Sequence, residues 1–115
     1  MKYMLLIYGN EAARQSVPKE QLNQMFAAYG AYTVAMKKAG AFVAGDPLQP
    51  TSTASTVRVN GGSTKVLNGP YADTKEQLGG YYIIDVADLD AALSWAARCP
   101  GASVGTLEVR PLMSM

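Results

Sequence analysis

Leu78-Gly79-Gly80-Tyr81-Tyr82-Ile83-Ile84-Asp85-Val86 carries large apolar groups at successive positions through its centre, so both faces of a strand built from it need cover. Lys2-Tyr3-Met4-Leu5-Leu6-Ile7-Tyr8 has the same character, with Tyr3, Leu5 and Ile7 on one side and Met4, Leu6 and Tyr8 on the other. Together they predict a sheet that is apolar above and below.

The flanking segments supply helices for only one of those faces. Pro18 suits a first helical turn, and Leu22, Met25, Phe26, Tyr29, Tyr32, Thr33 and Met36 then recur at three- and four-residue steps until Gly40 stops the helix. Asp88 is a natural N-cap for a second helix, whose Leu89, Ala92, Leu93 and Ala96, beside Trp95, form an apolar face ending near Cys99-Pro100-Gly101. Ala41 to Leu48 reads as a short strand that Pro47 and Pro50 push to an edge. Thr56–Asn60 and Thr64–Asn68 alternate around Asn60-Gly61-Gly62 and predict a tight hairpin. Gly9 to Val17 and Thr51 to Ser55 are polar connectors, Asp73 or Thr74 can cap a single helical turn before Leu78, and Thr106 to Leu112 is the last strand.

Strand, helix, strand, hairpin, strand, helix, strand is an α+β order that predicts a ferredoxin-like antiparallel sheet with two helices on one face. The second face then lacks cover. A second copy packing sheet against sheet supplies it with self-complementary contacts, so a homodimer is the expectation.

Composition narrows the function. The 115 residues fit one domain, 1–115, and ten basic against nine acidic groups leave a charge of +1 with no long block of one sign, which argues against direct nucleic-acid binding. No apolar run approaches the roughly 20 residues that cross a bilayer, and Met1 leads straight into strand-like sequence; a soluble, cytoplasmic protein without membrane attachment is expected. Cys99 is the only cysteine and histidine is absent, which excludes an internal disulfide, a thiolate metal cluster, and Ser-His-Asp, Cys-His or histidine-zinc chemistry within the chain. Neither a metal nor a cofactor is predicted.

In the last strand Leu107 and Val109 share one face and Thr106, Glu108 and Arg110 the other. If the first pair meets the helices, Arg110 is a partly buried cation that needs a carboxylate, and Glu108 can supply it. Two readings follow: an anion-binding arginine between sheet and loop, or an ion pair in the dimer interface. Asn68-Gly69-Pro70-Tyr71 with Asp73-Thr74-Lys75-Glu76 gathers backbone N–H groups, a cation, carboxylates and a phenol, enough for a ligand loop; a capped turn with solvated charges is the plainer alternative. Asp46 between Gly45 and Pro47 could be held rigidly enough to act as a base or metal ligand, although capping its own turn is the commoner role, and Cys99 beside Arg98 is read as a small apolar filler.

Asn68-Gly69-Pro70-Tyr71, then Thr74-Lys75-Glu76-Gln77-Leu78-Gly79-Gly80-Tyr81-Tyr82, then Ala96-Ala97-Arg98-Cys99-Pro100 and Glu108-Val109-Arg110-Pro111, resembles the DGPF group of YCII-related proteins over nearly the whole chain. The resemblance implies a dimeric α/β barrel, a bacterial source and no established reaction; some members accompany extracytoplasmic-function sigma factors. Asn68 and Tyr71 stand where the signature has aspartate and phenylalanine, and the histidine suggested as catalytic in broader relatives has no counterpart here.

The leading expectation is a homodimer that binds a small polar or anionic molecule between the sheet and the 68–77 loop, with Arg110, Glu108, Lys75, Glu76, Asp73, Asn68 and Tyr71 lining the site. Two alternatives stand beside it. One is an enzyme of unknown reaction with Asp73, Glu76 or Glu108 as proton carrier; the other, by family analogy, is an interaction module for a sigma factor.

Overall fold

The computed structural model describes residues 1–115. Its core is a four-stranded antiparallel sheet of β1 (Lys2–Gly9), β2 (Phe42–Pro47), β5 (Gln77–Asp85) and β6 (Thr106–Pro111) in the order β2-β5-β1-β6. The two strands that are apolar on both sides, β1 and β5, are the central pair, where both ladders are satisfied. Pro47 and Pro111 fall on the edge strands, where a missing N–H costs no ladder bond. The sheet is open, and the single chain closes no barrel.

Three helices accompany it: α1 (Glu11–Gln15), α2 (Lys19–Lys38) and α3 (Leu89–Arg98). Asp88 caps α3 by accepting the Ala91 N–H at 2.9 Å, and Pro18 stands just before α2. Tyr32 and Met36 of α2 and Ala92 and Ala96 of α3 pack on Tyr3, Leu5, Ile7, Tyr82 and Ile84, with Leu107 and Val109 beside them. The helices therefore cover one parity of each strand, which leaves Met4, Leu6, Tyr8, Tyr81 and Ile83 half-exposed on the other side, together with Glu108 and Arg110. The smallest dimension is 19 Å, the depth of one sheet and one helix layer.

Several expectations are corrected. The connector after β1 holds α1, because Asn10 Oδ1 accepts the Ala13 N–H at 2.9 Å and Glu11 favours the first turn. Phe26, expected in the apolar stripe of α2, is 63% exposed: the covered line runs through half-buried Leu22, Met25 and Tyr29 to buried Tyr32 and Met36, and Phe26 stands at its margin. Leu89 and Leu93 are also exposed: α3 meets the sheet through its small alanines, and the leucines flank that line of approach. No helical turn forms at 73–77. There the Thr74 hydroxyl donates to the Glu76 carbonyl and the Gln77 amide to the Thr74 carbonyl, local bonds that compete with a helical ladder.

The hairpin forms as expected from β3 (Ser55–Asn60) and β4 (Ser63–Asn68), with Gly61 and Gly62 at φ 56° and 81°, the positive values that its two-residue turn requires. It is a separate two-stranded sheet.

Candidate functional site

The open face carries its polar groups along β6 and at the end of the sheet where β5 begins. Thr106, Glu108 and Arg110 project from the same side of β6, opposite Tyr8, Leu6 and Met4 of β1. Arg110 Nε and Glu108 Oε2 form an ion pair at 3.1 Å. Thr106 Oγ1 donates to Glu76 Oε1 at 2.7 Å, which ties the segment before β5 to the start of β6 across the end of β1. On the far side of β5 the Tyr81 hydroxyl donates to Asp46 Oδ2 at 3.1 Å, and this bond raises the phenol's pKa. The result is an apolar centre rimmed by two carboxylate-bearing hydrogen-bond pairs and one arginine–glutamate ion pair.

The structure thus brings Glu76, Glu108 and Arg110 to one edge of the open face. It places Asn68 and Tyr71 elsewhere, at the base of the hairpin. Asn68 pairs with Ser55, and the Tyr71 ring lies 5.5 Å from the Arg58 guanidinium, whose Nη2 donates to the phenol oxygen at 3.3 Å. Asp73 and Lys75 are exposed in the segment between the two groups.

A second polar neighbourhood escaped sequence reasoning. The Glu11 carboxylate accepts both the N–H and the hydroxyl of Thr51 at 2.8 Å, while its own N–H donates to Gln77 Oε1 at 3.0 Å. So anchored, α1 lays the Arg14 guanidinium over Gly79, where a Cβ would stand 2.9 Å from Nη2. Gly79 is the extra residue of a β-bulge, opposite the step from Ile7 to Tyr8. A cavity of about 70 Å³ opens here between Glu11, Arg14, Gln15, Leu48, Pro50 and Gly79. Asn10 before Glu11-Ala12-Ala13-Arg14 was a local signal for the helix; no local signal joins Arg14 to Gly79.

Beneath the helices the polar groups are committed to structure. Tyr32 donates to the Trp95 carbonyl at 2.6 Å, Thr33 Oγ1 and the Tyr82 hydroxyl share a bond of 2.8 Å, and Cys99 Sγ lies 3.8 Å from the Tyr29 hydroxyl. Burial raises the pKa of all three tyrosines and of the Cys99 thiol, so this cluster is neutral at physiological pH. No three His, Cys, Asp or Glu side chains gather where they could hold a metal, and no helix is long and apolar enough to cross a membrane.

The YCII-related domain model matches residues 1–115, the whole described chain. The chain belongs to the YCII-related family. An uncharacterised protein of Rhizobium meliloti (strain 1021), R00369, is 40% identical over 114 residues, covering 97% of this chain and 92% of its own length. In this YCII-related chain, the Lys75–Tyr81 segment runs from the rim into β5 and the Glu108–Pro111 segment forms most of β6, so two stretches distant in sequence meet through the Glu76–Thr106 bond.

Proposed function

We propose that the chain acts as a homodimer whose open sheet faces meet, and that it holds a small polar or anionic molecule at the rim beside the 68–77 segment. One observation carries the reading: a face with Met4, Leu6, Tyr8, Tyr81 and Ile83 at its centre has no layer over it. Half-buried groups of this size gain roughly 25 cal/mol per Å² of apolar area when a partner excludes water. A two-fold pairing of identical faces does so without any new surface. The order β2-β5-β1-β6 with α2 and α3 on one side fits a ferredoxin-like unit, and two such sheets face to face make the dimeric α/β barrel of the DGPF-type proteins.

The rim supplies the ligand chemistry. Glu108 occupies Nε of Arg110, and the two terminal amino groups of that guanidinium remain able to donate in parallel to a carboxylate or phosphate. Asp73, Lys75 and Glu76 belong to the segment that borders this rim and gives it further donors and acceptors.

Sedimentation measures the first half of the proposal. The expected mass is twice the 12.2 kDa of one chain, and a monomer at micromolar concentration rejects the face-to-face pairing. Amide shifts on titration with inorganic phosphate or succinate test the second. Movement at Thr106, Glu108 and Arg110 is expected in the native protein and not in Arg110→Ala, whereas a dimer with no anion-dependent shifts at the rim removes the ligand reading.

A further inference from the structure

Residues 55–68 form a hairpin whose side-chain bonds to the rest of its chain lie at its base, where Thr56 bonds the Gly69 carbonyl and Arg58 meets Tyr71. All but Thr56 are exposed, and the substantial contacts of β3 and β4 are with each other. The register places Val57 opposite Val66 and Val59 opposite Thr64, so one face of the hairpin is an apolar strip. Leu67, opposite Thr56, lies on the other face with Arg58 and Lys65. The projection shows in the dimensions: the radius of gyration is 16.1 Å, against about 13 Å for a compact chain of this length.

An isolated two-stranded hairpin is marginal in water. Backbone bonds and a glycine turn hold its shape, yet they do not offset three valines and a leucine left in solvent. A second copy is a cover that is present at equal concentration whenever the chain is folded.

We propose that the hairpin is an arm that packs its Val57–Val59–Val66 face on a second copy of this chain, extending the face-to-face dimer on which this inference rests. Two further features select that occupant. The first is position. The hairpin leaves the sheet after β2 and returns to it at the start of β5, the end at which Glu76 meets Thr106, so the arm begins where the open face ends. Its six-residue strands span about 20 Å, enough to reach across a partner's sheet. The second is charge. Residues 55–68 hold Arg58 and Lys65 and no carboxylate, whereas the rim of the open face holds Asp46, Glu76 and Glu108 against Arg110 and the neighbouring Lys75, a net acidic balance. A basic arm beside an acidic rim is attractive between copies and sets the direction in which they meet.

The test uses the full chain, mixing isotope-labelled and unlabelled copies and recording isotope-filtered nuclear Overhauser spectra. Cross-peaks between copies from the methyls of Val57, Val59 and Val66 are expected. A monomeric mass overturns the dimer and the arm together, whereas a dimer whose valine methyls show no contact between copies overturns the arm alone. Val57→Asp with Val66→Asp is the companion variant: with the sheet's chemical shifts retained, the dimer dissociation constant rises at least tenfold, and an unchanged constant rejects the arm.

Discussion

Arg110 Nε and Glu108 Oε2 lie 3.1 Å apart on one strand, across a single pleat, on the face that no helix covers. In the single chain their side chains are 69% and 47% exposed. A pair this open contributes about 0–1 kcal/mol. Under the proposed pairing a second sheet would desolvate the same pair, and removal of one member would strand a charge at a cost of about 3–5 kcal/mol.

Arg110→Ala is therefore expected to weaken the dimer by more than about 100-fold in sedimentation. Adding Glu108→Ala should recover part of that loss, because no charge is then left unpaired. A change of less than about tenfold, with no recovery in the double variant, would put the pair outside the interface.

Leu5 and Leu6 are neighbours on β1 with opposite fates. Leu5 is fully buried under the helices, and Leu6 is half-exposed on the open face. Leu5→Ala should lower stability by about 2–5 kcal/mol whatever the protein concentration. Under the proposed face-to-face pairing, Leu6→Ala should cost less at low concentration and more at high concentration, because the pairing would bury that side chain. Urea unfolding at two widely separated protein concentrations reads both, and a Leu6→Ala effect independent of concentration contradicts the face-to-face pairing.

The central strands were legible because Met4-Leu5-Leu6-Ile7 and Tyr81-Tyr82-Ile83-Ile84 need cover on both sides, a demand that only the middle of a sheet meets. Pro47 marked its edge strand and Gly61-Gly62 their turn for equally local reasons. Helix faces were read less well. Periodicity gives the direction of an apolar stripe and not which part of it touches the sheet, so Phe26 and Leu93 appeared as core while α3 in fact docks through Ala92 and Ala96. At the rim, alternation along β6 was enough to put Glu108 and Arg110 on one face. The Arg14–Gly79 contact was invisible because it depends on a bulge and on α1 being anchored by Thr51 and Gln77, distant residues without any shared pattern.

Two glycines predict opposite responses to the same substitution. Gly30 sits inside α2 with nothing within 4 Å of a prospective Cβ. Gly30→Ala should stabilise the protein by about 0.5–1 kcal/mol through backbone entropy. At Gly105 a Cβ would overlap the Tyr8 carbonyl oxygen just before β6, and backbone cannot yield as a flexible side chain does. Gly105→Ala should cost at least about 1–3 kcal/mol, and thermal unfolding that ranks the two variants the other way would contradict this packing.

The buried tyrosine and cysteine cluster predicts a loss of stability at alkaline pH. Burial is the main cause of the raised pKa at Tyr29, Tyr32, Tyr82 and Cys99, whose ordinary values are 10.0 for the phenols and 9.0 for the thiol. The folded chain keeps these protons while the unfolded chain releases them, so the unfolded state binds fewer protons as pH rises and unfolding becomes easier. Stability from this cluster is fully present below the unfolded values and falls as pH climbs through about 9 and then about 10 towards the folded ones. Cys99→Ala should remove the earlier part of that decline and leave the tyrosine part in place. Urea midpoints measured from neutral pH upward check both statements: a flat profile in the native chain would show that these protons are released equally in both states, and a Cys99→Ala profile identical to the native one would assign the whole decline to the tyrosines.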